Sequence, residues 1–117
     1  MILASADWTP SQAEFDGFAR ISGDDNPIHV DPQFSARTRF GRTVSHGMLI
    51  YARLWALLGR VRPGATHRVQ NLMFPAPSFA GETLRLEVRQ TPAGHLALTA
   101  TRLADEVLVL QGEAEVL

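Results

Sequence analysis

Apolar residues recur along this chain in two rhythms, and the change comes between residues 60 and 67. Before it the spacing is helical. Phe15, Phe18 and Ala19, with Ser22, share one helical face. The stretch TPSQ ahead of them offers Thr9 as N-cap, Pro10 at the first helical position and Gln12 three residues after the cap, a capping box with its favoured proline. Gly23 is placed to close this helix in a left-handed conformation. Asp31-Pro32 repeats the cap-and-proline pattern and predicts a short helix through about Arg37. A third helix is expected over SHGMLIYARLWALLG, with Ser45 as N-cap and Gly59 as terminator. It is apolar on nearly every side, so burial on all sides is expected, with a curved sheet as the wrapper.

After residue 66 the period shortens to two. Leu84, Leu86 and Val88 alternate with Arg85, Glu87 and Arg89. Strands are predicted over 67–74, 83–90, 95–103 and 106–117, with turns at TPAG (91–94) and at Ala104-Asp105. The breaker PAP ends the first of them, and MILASA at the start adds an edge strand. Short hairpin connections make neighbouring strands antiparallel. Helices followed by strands give an α+β class, with an antiparallel sheet around a long central buried helix.

Composition narrows the functions without choosing one. The chain has 117 residues, the size of one domain, with a formal net charge of −1. That balance points to no nucleic-acid partner and no anionic membrane surface. Cysteine is absent, which excludes disulfides and thiolate catalysis. All eleven basic residues are arginine, which excludes a lysine Schiff base. The N-terminus has no basic start and no long apolar run, so no secretory signal is expected. A cytoplasmic location is compatible with this.

Two stretches carry candidate chemistry. In GDDNPIHVDP, Pro27 fixes its own backbone and pushes Asn26 away from helical angles, so residues 24–30 are expected to form an extended, stiff loop holding Asp24 and His29. An Asp and a His converging on one water can remove its proton. Taken alone, this spacing more often means a capped turn and a surface histidine. In SHGM, Gly47 falls in the first turn of the third helix. There a backbone N–H lacks an intrahelical partner, lies at the positive end of the helix dipole, and is open to close approach. It suits a carbonyl oxygen gaining negative charge. Any helix start shares that property. None of the four histidines, His29, His46, His67 and His95, forms a metal-ligand spacing, so no metal is expected. Together the two stretches describe equipment for hydrating a double bond beside a carbonyl.

The ordered combination in FARISGDDNPIHVDPQFSARTRFGRTVSHGMLIYARL resembles the hydratase-2 motif region of the MaoC-like (R)-specific enoyl-CoA hydratases: D-x-N-P-x-H, then D-P, then H-G-M. The resemblance runs from about Phe18 to Leu54. It implies a single hot-dog domain over 1–117, an antiparallel sheet wrapped around a central helix. It makes Asp24 and His29 the catalytic pair and Gly47 the oxyanion donor. Asn26, Pro27, Ser45 and His46 become the supporting loop residues. The acyl chain would lie along the central helix, near Met48, Leu49 and Tyr51, although a plain core role suits those three better. Arg37, Arg39 and Arg42 are candidates for CoA phosphates, or simply a solvated face. The implied reaction is reversible syn hydration of a trans-2-enoyl thioester to the (R)-3-hydroxyacyl thioester. It needs no cofactor, CoA thioester being the substrate, and the implied assembly is a homodimer.

Three rivals remain at this level. One is a dehydratase acting on acyl carrier protein. Another is a thioesterase on the same fold. The third is a non-catalytic acyl-CoA-binding or heterodimer subunit, which has no need for both Asp24 and His29.

Overall fold

The computed structural model describes residues 1–117. Its elements run β1 (Ile2–Trp8), α1 (Gln12–Ser22), α2 (Pro27–Val30), α3 (Pro32–Ala36), α4 (Gly47–Val61), β2 (His67–Met73), β3 (Leu84–Gln90), β4 (Leu96–Arg102) and β5 (Leu108–Val116). The strands form one antiparallel sheet in the order β1-β3-β4-β5-β2. The N-terminal segment is an edge strand, as expected, and β2 forms the other edge. No helix is long and apolar enough to cross a membrane.

The core lies between the inward face of the sheet and one face of α4. Leu84, Leu86 and Val88 of β3 meet Leu96, Leu98 and Ala100 of β4. Across from them stand Ile50, Leu54, Leu57 and Leu58, spaced to fall on one side of a 3.6-residue helix, with Phe15 of α1 closing the end. β5 carries an irregularity in register opposite Ala100 and Thr101, and both Val109 and Leu110 are buried there. Such a bulge re-aims a side chain, and Val109 reaches the cavity described below.

Four sequence expectations shift. The first helix is capped by Ser11, not Thr9: the Ser11 side chain accepts from the Glu14 N–H while Glu14 reaches back to the Ser11 N–H. The SxxE pair reciprocates at both ends, so it outcompetes Thr9 with Gln12, and Gln12 is released for other contacts. Residues 24–30 are not extended throughout. Asn26 is (φ −51°, ψ 132°), but Pro27 then opens a one-turn helix capped by the Asn26 side chain. The long helix has His46, not Ser45, at its N-cap position and runs through Gly59 to Val61. Finally, α4 is not buried all round. Met48 is 51% and Trp55 55% exposed, because a five-stranded sheet in one chain covers only one side of the helix.

Candidate active site

The segments that hold the site are short and heavily capped. Gly23 ends α1 in the left-handed conformation (φ 79°) and turns the chain toward Asp24. Asp31 caps α3, accepting from the N–H groups of Gln33 and Phe34. Between them α2 presents His29 inward: His29 is buried, while Asp24 is exposed. The segment Thr43–Ser45 runs beside α2, with the Val44 N–H donating to the Ile28 carbonyl at 2.9 Å. On its other side it meets the loop after β2, through a bridge between Val44 and Phe79 and a Ser45 N–H to Ser78 carbonyl bond of 2.7 Å.

His29 Nδ1 lies 2.7 Å from the Val44 carbonyl oxygen. A carbonyl only accepts, so Nδ1 carries a proton, and in the neutral ring Nε2 keeps a lone pair. That Nε2 is 3.7 Å from Asp24 Oδ2. The gap is too long for a direct hydrogen bond, yet a water about 2.8 Å from each atom would complete a triangle over it. His46 stacks on His29 with ring centroids 3.9 Å apart and donates from Nε2 to the Asp24 carbonyl oxygen at 2.8 Å. Burial pushes the His46 pKa down, and the charge of a protonated His29 would push it the same way. The bond to the Asp24 carbonyl and the Asp24 charge oppose them without reversing the outcome. His46 is therefore a neutral support.

Asp24, His29 and Gly47 line one cavity of about 460 Å³. Gly47 is the first residue of α4, so its N–H has no intrahelical acceptor and sits at the positive end of the helix. Phe74 covers it: a Cβ on Gly47 would lie 2.6 Å from that ring. Ile50 and Val109 contribute apolar wall, and Phe40 and Arg39 also line the cavity.

Other sequence candidates separate. Met48 lines this cavity, but Leu49 is buried in the core, and Tyr51 lines a separate shallow groove with Phe18, Met48, Ala52 and Trp55. Arg39 reaches the cavity. Arg37 is exposed and is not among the lining residues. Arg42 is engaged elsewhere, on Glu82 at 3.0 Å and over the Phe79 ring at 3.9 Å. Asn26 and Pro27 shape the turn, and the Ser45 hydroxyl donates to the His46 carbonyl. Sequence spacing kept the histidines apart, but the fold brings Asp24, His29 and His46 together, with one potential ligand atom from each within 4.8 Å of the others. The set fits a metal poorly. The two rings are stacked with planes 24° apart, so one ion at bonding distance cannot lie in the plane of both, and His46 Nε2 is spent as a donor. The loop Phe74–Ser78 was missed as site lining; its FPAP signal read only as the end of a strand.

Known proteins resemble the chain in both sequence and fold. The model of the MaoC-like domain matches residues 2–104. The (R)-specific enoyl-CoA hydratase of Aeromonas caviae is 38% identical over 111 residues, covering 89% of this chain and 83% of that protein. The 3-hydroxybutyryl-CoA dehydratase of Methylorubrum extorquens is 39% identical over 112 residues, covering 89% and 70%. Among solved structures, an unliganded R-hydratase from Pseudomonas aeruginosa superimposes with a TM-score of 0.86 at 31% identity, covering 97% of this chain and 77% of that one. The R-hydratase of A. caviae gives 0.83 at 34%, covering 97% and 91%. With the hot-dog arrangement of sheet and helix, and a match across most of its length, this chain belongs to the MaoC-like domain family.

Proposed function

We propose that this chain, a hydratase/dehydratase of its family, adds water syn across the trans-2 double bond of an enoyl-CoA to give the (R)-3-hydroxyacyl-CoA, and runs the reverse dehydration. The observation that supports the reading is that Asp24, His29 and Gly47, the first residue of α4, line one cavity. The Asp24–His29 pair takes a proton from water as its oxygen bonds to C3 of the enoyl group. The C2–C3 electron pair moves toward the thioester, and the charge on its oxygen is held by the Gly47 N–H. The pair then delivers a proton to C2 on the same face. One such amide donor is worth about 3 kcal/mol in the transition state. Water and the thioester suffice, and no cofactor enters.

On this reading the CoA phosphates meet Arg39 at the cavity mouth. The protein works in the cytoplasm as a homodimer, two copies meeting along the free edge of β2, where Val69 and Met73 are exposed apolar residues. A carrier-protein thioester would use the same chemistry.

Purified protein given crotonyl-CoA is expected to consume the enoyl thioester chromophore without releasing thiol. Asp24→Asn and His29→Gln are each expected to lower turnover by about a hundredfold with folding intact. Release of free thiol would replace this reading with a thioesterase, and saturable binding without turnover with a binding subunit.

A further inference from the structure

We propose that Gln12 is a positioning residue for the His29 imidazole, acting through a closed ring of hydrogen bonds and touching no reacting atom. The inference rests on the reading of His29 as half of the proton-transferring pair.

Gln12 Nε2 donates to the His29 carbonyl oxygen at 2.8 Å and to Asp16 Oδ1 at 3.0 Å. Its Oε1 accepts the Thr43 hydroxyl at 2.6 Å. Those partners fix the orientation of the amide, since a carbonyl and a carboxylate accept and a hydroxyl can donate. Thr43 precedes Val44, and the Val44 carbonyl receives His29 Nδ1–H. One side chain thus ties the backbone that carries the imidazole to the segment that sets its tautomer. If residues 43–44 drift, Nδ1 loses its acceptor and the proton is free to sit on Nε2. A ring in that tautomer has no lone pair facing Asp24 and cannot take a proton there.

Glutamate at position 12 keeps an acceptor for Thr43 but donates nothing to His29. Leucine keeps neither bond. A residue serving only to join α1 to the loop would affect stability and leave the tautomer alone, and that difference separates the two roles.

The test uses the full chain with crotonyl-CoA and the variants Gln12→Leu, Gln12→Glu, Thr43→Val and Thr43→Ser, with His29→Gln alongside. Gln12→Leu is expected to lower kcat about tenfold with KM changed less than about twofold, since displacement without lost binding acts on the chemical step. Long-range proton–nitrogen NMR should show the Nε2–H tautomer of His29 gaining population. Thr43→Ser should recover most of the loss seen in Thr43→Val. If Gln12→Leu fails to fold, Thr43→Val carries the test through the same two readouts. The inference is overturned if the folded Gln12 and Thr43→Val variants keep wild-type kcat while His29→Gln is inactive, or if kcat falls with the His29 tautomer unchanged. Full turnover by His29→Gln would instead sink the reading of the site itself.

Discussion

The rings of His29 and His46 lie face to face, with centroids 3.9 Å apart, and His46 also holds the Asp24 backbone through its Nε2–H. One buried imidazole thus supports both members of the candidate pair. His46→Phe keeps a stacking surface and removes the hydrogen bond. It is expected to lower kcat about tenfold while binding of substrate changes little. A steady-state comparison of kcat and KM with wild type checks this.

The same imidazole makes stability depend on pH. Its folded pKa lies below the ordinary value of about 6.5, so the unfolded chain takes up a proton first as pH falls. Stability is then present above the unfolded value and lost as pH drops from it toward the folded one. Glu14 adds a second leg. Burial pushes its pKa up, but hydrogen bonds from Arg53, Ser11 and Trp8, with the Arg53 charge, outweigh that and hold it below the ordinary 4.5. Its contribution is present above about 4.5 and lost through the folded value. Thermal unfolding across pH should show both legs, and His46→Phe should remove the upper one.

Gly47→Ala should be severe for two reasons. The added methyl meets the Phe74 ring and crowds the approach of an oxygen to the amide. A loss in kcat/KM of about a hundredfold or more is expected. Phe74→Ala added to Gly47→Ala should restore part of the lost stability and only part of the activity, a coupling that a double-mutant cycle measures.

Arg39 and Arg42 should behave differently despite their closeness in sequence. Arg39→Ala is expected to raise KM for crotonyl-CoA several-fold but to leave KM for crotonyl-pantetheine, which lacks the nucleotide phosphates, within about twofold. Arg42 is already paired with Glu82 and stacked on Phe79, so Arg42→Ala should leave both values of KM nearly alone. Added salt should erase the Arg39 effect.

The strands were the most readable part of the chain. Alternation from Leu84 to Val88 and from Leu96 to Ala100 names the buried face directly, because side chains in a strand change side at every residue. Helix starts were less legible. Thr9 and Ser11 both offer a hydroxyl, and only the reach of Glu14 back to Ser11 decides between them. For α4 the apolar pattern overstated burial, since composition says which residues are greasy but not how far a sheet extends around them.

The chain order alone determined that an aspartate, an asparagine-proline step and a histidine precede a histidine-glycine helix start, and the resemblance this pattern carries was enough to name the family and its hydratase/dehydratase class. Tertiary structure decided what closes around that motif. Phe74 and Val109 reach the cavity from the far side of the sequence. His46 comes to stack on His29, and Gln12 spans 31 residues to meet Thr43. Local patterns fix conformation through bonds to near neighbours, whereas these contacts exist only after the sheet has set α1, α4 and the loop after β2 against one another.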